Sequence, residues 1–345
     1  MTTLPSLRSL VRNAEAKKAH IPAHHLVKPT LGKGVSLGKY TLEKIVGQGG
    51  YGQVWEGLDP SGKRYALKID TLQLGLDINC TDNTEFNNFS QVMATGGHSS
   101  IINYFGREES SGLSFCVLEY LDRGDLSKII KEHGGIEPSG LPHLLALNYL
   151  RQITSGLGYL HSIGLIHNDI KPENIMMDEN GALKLIDLGV ASSYPIGIHT
   201  GTPKYYSPEK AKMSEIDQRA DIFALGITFF MMIFGRHPFA VSGDSEERIL
   251  WNVMNERRPS LRIYSLPKET RQLMHGMLAP ELGSRIKSCD DIIRMIDLAE
   301  KSMPKKESRW RRVLGKIFGV ADRIMFGLYD LVDRVKDVIF RPTTL

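Results

Sequence analysis

Cysteine is scarce in this chain of 345 residues. Cys80, Cys116 and Cys289 are the only three, they are scattered, and no two have the spacing of a metal-binding pair. A disulfide framework and a cysteine zinc site are therefore excluded, and a reducing compartment is expected. Long apolar runs are also missing. The longest, from Gly226 to Phe234, falls far below the ~20 residues that cross a bilayer. The N-terminus lacks the basic-then-apolar order of a secretory signal, and Pro5, Pro22 and Pro29 interrupt any helical span there. No internal repeat is visible. At 41% hydrophobic and 24% charged residues, the disordered and fibrous classes drop out as well. The expectation is a cytoplasmic globular protein with no transmembrane segment.

Charge is present but unevenly placed. Residues 1–39 hold seven Lys/Arg against one acidic residue and residues 301–345 hold eleven against five, so a chain of net charge +4 has a middle of −8. An acidic body with basic ends can meet an anionic membrane surface, an acidic partner, or itself. No nucleic-acid recognition module accompanies the charge, so nucleic acid is not expected as a partner.

The texture changes at Tyr40. Tyr40–Val46, Gln53–Leu58 and Arg64–Ile69 cluster β-formers between Gly-rich and Pro-Ser-Gly turns, which predicts an antiparallel meander. Further strands are predicted at Ile101–Phe105 and Phe115–Glu119. Between them, Phe86, Phe89, Val92 and Met93 give residues 84–95 helical spacing. Beyond Asp122-Arg123-Gly124-Asp125 the apolar periodicity is helical, through 126–131, 144–163, 221–234, 249–256 and 270–278. The segment from Gly226 to Phe234 is apolar nearly all round, as a helix at the centre of a lobe should be. The predicted class is α+β in two lobes: a small antiparallel sheet with one main helix, then a mostly helical lobe.

Two short segments carry the chemistry. His167-Asn168-Asp169-Ile170-Lys171-Pro172-Glu173-Asn174 is followed by Asp187-Leu188-Gly189, so Asp169 precedes Asn174 by five residues and Asp187 by eighteen. A loop and a strand–turn then suffice to bring two carboxylates, an amide and an amine to one cleft. Phosphoryl transfer from a nucleotide is mostly positioning and charge neutralisation, and it needs such a set. Upstream, Gly47-Gln48-Gly49-Gly50-Tyr51-Gly52-Gln53-Val54 is a G-x-G-x-x-G-x-V pattern between two predicted strands. Glycines let a backbone approach phosphates without a Cβ clash, although a plain hairpin turn yields the same letters. A strand follows rather than a helix, which disfavours a dinucleotide-binding reading. Lys68, sixteen residues past Gly52, ends an apolar strand.

With these motifs in this order, the chain from about Tyr40 to Ile296 resembles the eukaryotic-type (Hanks-type) serine/threonine protein kinase family. The resemblance implies a protein kinase domain over 40–298, with an N-lobe at about 40–118, a hinge at 119–122 and a C-lobe at 123–298. Residues 1–39 then form a basic irregular extension and 299–345 a basic amphipathic helical one. In that family the glycine loop covers ATP phosphates and the strand lysine holds the α- and β-phosphates. That role falls on Lys68, paired with Glu85, the only glutamate between Lys68 and Arg107. Val54, Ala66, Leu118 and Met176 would enclose the adenine, backbone groups of Glu119 and Leu121 would bind its edge, and Asp125 would meet the ribose. Asp169 would orient the acceptor hydroxyl, Lys171 would contact the γ-phosphate, and Asn174 and Asp187 would hold Mg2+, with Mn2+ as the alternative ion. Lysine two residues after Asp169 and Gly201-Thr202 are serine/threonine features, and Thr202 is expected near Asp169 and Lys171. Asp221 is expected to anchor the catalytic-loop backbone, and Arg285 to pair with Glu209. His167 is expected to support the loop, whereas His161 reads as a satisfied surface or boundary histidine.

The chain departs from the family pattern at Asn168, where the family usually has arginine. An amide removes the cation that a phosphorylated activation segment would engage, so weak dependence on such phosphorylation is expected. Leu188 for phenylalanine and Ser207 for alanine are milder changes. With Lys68, Asp169, Lys171, Asn174 and Asp187 all present, an active kinase that phosphorylates protein Ser/Thr residues, itself included, is the reading. The rivals are a kinase-like scaffold acting by nucleotide or partner binding and a small-molecule kinase. Past Trp310, apolar residues from Val313 to Ile339 repeat at three and four. A helix there could lie on an anionic membrane surface, pack on the acidic body, or form a dimer seam.

Overall fold

The computed structural model describes residues 31–49, 52–70, 84–134, 140–193, 200–240, 243–255 and 266–302. The expectations for both extensions lie outside the described residues, apart from the short stretches 31–39 and 299–302. The first half is one six-stranded antiparallel sheet. It contains β1 (Ser36–Leu37), β2 (Tyr40–Gly49), β3 (Gly52–Leu58), β4 (Arg64–Asp70), β5 (Tyr104–Ser110) and β6 (Leu113–Glu119), in the order β1-β2-β3-β4-β6-β5. Alternation drives it: Tyr40, Leu42, Trp55, Leu67, Ile69, Phe115 and Val117 turn to one face and bury together. On the opposite face lies α1 (Thr84–Ala94), whose Asn88, Phe89 and Val92 are buried at helical spacing.

One strand differs from expectation. A strand was predicted at residues 101–105, yet β5 begins at Tyr104 and runs through Arg107-Glu108-Glu109. Its exposure alternates, with Phe105, Arg107 and Glu109 turned outward on the sheet's edge, where the charges also discourage pairing with another chain. Ser111 and Gly112, both at positive φ (54° and 74°), make the tight turn that pairs β5 with β6. Ile101 instead bridges to Leu185, and the Ile102 amide donates to the Leu185 carbonyl at 3.0 Å, tying the sheet to the second lobe.

The second lobe is helical. It holds α2 (Leu126–Gly134), α3 (His143–Ser162), α4 (Pro208–Ala211), α5 (Arg219–Phe234), α6 (Glu246–Met254), α7 (Lys268–Met277) and α8 (Cys289–Lys301). Helix α8 was not foreseen. Its apolar stripe is thin, but Ser288 caps its start by accepting from the Asp291 amide, and it packs against α3 and α7. Twelve of the sixteen residues of α5 are buried, so it forms the lobe's axis. It stops at Gly235, which takes the left-handed conformation (φ 64°) that other residues adopt at a cost. Between α3 and α4 run the short strands β7 (Leu165–Ile166), β8 (Ile175–Met177), β9 (Leu183–Leu185) and β10 (Ser192–Ser193). The hairpin β8–β9 and the pair β7–β10 carry the loops that build the site. A single apolar cluster runs from Phe89 and Tyr104 in the first lobe to Phe229 and Ile292 in the second. Among the described residues, no helix is long and apolar enough to cross a membrane.

Candidate active site

Lys68 lies on β4, and the register places it beside Val54 of β3 and Cys116 of β6. Its ammonium donates to Glu85 Oε1 at 2.7 Å and to Asp187 Oδ1 at 3.1 Å. Burial works against the charge on Lys68, but the two carboxylates overcome it and hold the amine well above the ordinary lysine range. Glu85 comes from the first turn of α1, so one contact couples helix, sheet and the second lobe's Asp187. A second link from α1 was missed in the sequence. The buried amide of Asn88 donates to the carbonyls of Leu188 and Ala191, both at 2.8 Å. Asn88 stands three residues after Glu85 on the same helix face, and that spacing was the available signal.

Asp169 is nearly enclosed, and both of its carboxylate oxygens accept hydrogen bonds. Oδ2 receives Lys171 Nζ at 2.6 Å and Asn174 Nδ2 at 2.9 Å, and Oδ1 receives the Thr202 amide at 2.8 Å. Lys171 also donates to Thr202 Oγ1 at 2.7 Å. Burial would raise the pKa of Asp169, but the bonds from Lys171 and Thr202 outweigh it, so the group stays ionised below the usual carboxylate range. Asp187 behaves alike: burial raises its pKa, while Lys68 and the Gly189 amide bring it lower on balance. Asp187 has φ 64°, an uncommon conformation for a non-glycine residue.

Asn174 ends a 3-10 turn, Pro172–Asn174, just before β8, and Asp187 follows β9. The hydrogen bond from Ile186 N to the Asn174 carbonyl (3.0 Å) brings both residues to the same end of that hairpin. The Asn174 amide nitrogen is committed to Asp169, which leaves its amide oxygen for a cation. A carboxylate with an amide oxygen is a hard donor pair suited to Mg2+, which characteristically keeps few protein ligands and completes its shell with phosphate and water.

The predicted adenine-enclosing residues also converge. Ala66 pairs with Leu118 across β4 and β6, and Val54, Met176 and Leu121 belong with them to the apolar cluster shared by the lobes. The Glu119 amide donates to the Asn103 carbonyl, while its side chain binds Asn103 and Lys184. Asp125 caps α2, accepting from Ser127 Oγ at 2.6 Å and the Lys128 amide at 3.1 Å. Gly47, Gln48, Gly49 and Gly52 form the end of the β2–β3 hairpin, with Gly52 at φ 145°. Gly50 and Tyr51 lie outside the described residues.

Asp221, fully buried in the first turn of α5, accepts the amides of His167 (2.8 Å) and Asn168 (2.9 Å). His161 is half-buried at the lobe's boundary, and its partner is specific: its Nε2 lies 2.9 Å from Asp221 Oδ2. The partner is sixty residues away, so nothing local announced it. Arg285 meets Glu209 through two bonds of 2.7 and 2.9 Å. Asn168, the departure from the family pattern, donates from its amide to the Val190 carbonyl (3.2 Å) and Ser192 Oγ (2.8 Å). Its own carbonyl accepts from Lys210, a buried lysine that belongs to none of the sequence motifs.

With this geometry in view, the comparisons are specific. A family model described as "Protein kinase domain" matches residues 40–295. The chain is 33% identical over 273 residues to the serine/threonine-protein kinase drp72 of Corynebacterium efficiens, covering 74% of this chain and 50% of that protein. It is 32% identical over 262 residues to serine/threonine-protein kinase PknA of Corynebacterium glutamicum, with 71% and 53% covered. Against PknA of Mycobacterium tuberculosis the identity is 29% over 268 residues, with 74% and 60% covered. The chain thus spans about half the length of these curated relatives.

Proposed function

The chain belongs to the protein kinase family, in its Hanks-type serine/threonine branch, and from that premise we propose that it transfers the γ-phosphoryl group of Mg-ATP to Ser and Thr hydroxyls of proteins, its own included. The observation that carries this reading is the three-way contact of Lys68 with Glu85 and Asp187, formed beside an ionised Asp169. Phosphoryl transfer asks for positioned charge more than for covalent chemistry. In this reading Lys68 grips the inner phosphates, and Glu85 keeps it aimed. Asp169 accepts the hydrogen bond of the incoming hydroxyl and aligns its oxygen, while Lys171 offsets charge on the transferred group. Asp187 and Asn174 hold the divalent ion, which when bound neutralises the polyphosphate. Ala66, Leu118 and Met176 exclude water from the adenine, and Thr202 keeps Lys171 and Asp169 in register.

Purified full-length protein with labelled ATP, Mg2+ and a generic basic protein substrate tests this. Wild type transfers label, whereas Asp169→Asn loses transfer and still binds nucleotide. Nucleotide binding without transfer by wild type would favour the scaffold reading instead. Mass spectrometry of sites labelled by wild type and absent with Asp169→Asn identifies the acceptors.

The contacts of Asn168 with Val190 and Ser192 support a further part of the proposal. The catalytic loop is joined to the start of the activation segment by neutral hydrogen bonds, so activity does not wait for a phosphate there. Phosphatase treatment should leave the rate unchanged. Strict phosphatase sensitivity that disappears in Thr200→Ala would overturn it. For residues 299–345 we favour packing on the acidic catalytic body, on charge complementarity, or a helical dimer seam, over a membrane surface. Retention of that segment on anionic vesicles in flotation would point to a membrane surface.

A further inference from the structure

Asn168 stands in the left-handed region at φ 66°, immediately before Asp169. A non-glycine residue persists there only when its surroundings hold it. Every polar atom of the backbone that turns into Asp169 is engaged. The Asn168 amide donates to Asp221 at 2.9 Å, the Asp169 amide to His167 Nδ1 at 3.3 Å, and the Asn168 carbonyl accepts from Lys210 Nζ at 2.8 Å. The same carbonyl is walled on another side by Gly201, where an added Cβ would lie 2.5 Å from the oxygen.

Lys210 is an unusual occupant for its place. It sits on α4 at 3% exposure, and among the described residues it forms no ion pair. The charged groups facing it are Asp169 of the catalytic loop, Asp221 of α5 and Glu209 of its own helix, the last already paired with Arg285. The ring of Tyr206 covers its ammonium at 4.6 Å. Burial brings the amine's pKa down to about 8, against the pull of those carboxylates. An apolar side chain would fill the same space at lower electrostatic cost. What the amine adds is one hydrogen bond, to the carbonyl of the peptide that orients Asp169.

We propose that Lys210 is a positioning residue for phosphoryl transfer, its ammonium locking the Asn168–Asp169 peptide so that the Asp169 carboxylate keeps its working direction. The proposal rests on the kinase reading above. It also assigns the loop a buried amine donor from α4, in a chain that lacks the arginine before Asp169.

Full-length Lys210→Met and Lys210→Arg, assayed beside wild type for kcat, KM for ATP and melting temperature, test it. Lys210→Met should lower kcat at least tenfold, change KM for ATP less than twofold, and move the melting temperature little, since removing a buried charge offsets the Asn168 carbonyl's loss of its donor. Lys210→Arg should recover most of the kcat. A Lys210→Met enzyme within twofold of wild-type kcat would overturn the proposal. So would equal losses of activity and melting temperature in both variants, which would mark a packing role. An inactive wild type would sink the kinase reading itself, a result distinct from failure confined to the variants.

Discussion

Replacing Arg285 by alanine should damage the fold before it reports on catalysis, and the structure allows the size to be worked out. The Arg285 side chain is fully enclosed. Its guanidinium makes two bonds to Glu209 and donates to the carbonyls of Ala279 (2.9 Å), Arg219 (3.0 Å) and Pro280 (3.1 Å). It also lies over the Phe223 ring at 4.9 Å. Truncation strands a buried carboxylate, which by itself costs about 3–5 kcal/mol. Three carbonyls lose a donor at about 1–3 kcal/mol each if they stay dry, but water entering the vacated space recovers most of that. A net loss of about 4–6 kcal/mol is expected, a large part of the roughly 5–15 kcal/mol that stabilises a domain. Urea unfolding followed by far-UV circular dichroism measures it. Removing both charges, as Arg285→Met with Glu209→Leu, should return most of the loss, because the penalty is the unpaired charge rather than the pair. The single exchange Arg294→Ala, which breaks an exposed pair with Asp291, should cost less than about 1 kcal/mol. A loss below about 1.5 kcal/mol for Arg285→Ala, or a double variant no more stable than the single, would refute the reasoning.

Three other outcomes are expected. Lys68→Met should lower kcat by about 10²–10³-fold, the usual scale for one preorganised electrostatic group, with Glu85→Gln smaller, as read in steady-state kinetics. Gly201→Ala forces a Cβ to 2.5 Å from the Asn168 oxygen at φ 102°. It should destabilise by about 1–3 kcal/mol and reduce kcat more than nucleotide affinity. Stability should also fall with acidification in two stages. His237 is held neutral, accepting from the Phe239 amide at Nδ1 and donating from Nε2 to the Lys204 carbonyl, and burial brings its pKa down to about 4. Burial brings His143 to about 4 as well. The unfolded chain binds these protons first, near pH 6.5, so stability is lost between about pH 6.5 and 4. Below that, Asp169, Asp187, Asp217 and Asp221, all held below the ordinary aspartate range, extend the loss. Urea midpoints at pH 7 and pH 5 should converge in the His143→Gln/His237→Gln variant; an unchanged pH slope would count against this account.

Much of the site was legible because its signals are local. Asp169, Lys171 and Asn174 sit within one loop, and Glu85 was singled out by being the sole glutamate in its window. Thr84 to Ala94 was legible as a helix because four apolar residues repeat at its period. Other features were hidden for physical reasons. In β5 the apolar signal ends at Phe105, and the consecutive Arg107, Glu108 and Glu109 give no alternation to read, which an edge strand tolerates because one side of it faces water. Helix α8 buries only Cys289, Ile292, Ile296 and Ala299, too thin a stripe to stand out beside its acidic neighbours.

What the sequence alone determined was the inventory and order of reactive groups, the two-lobed α+β class and most of the element boundaries. Those properties follow from side-chain chemistry and from contacts a few residues apart. Tertiary structure alone decided that His161 meets Asp221, that Asn88 grips the Leu188 and Ala191 carbonyls, and that Lys210 closes on the Asn168 carbonyl. In the last two the acceptor is a backbone oxygen, which every residue carries and no letter distinguishes, and only the packing of distant helices selects which one is left for a buried donor to satisfy.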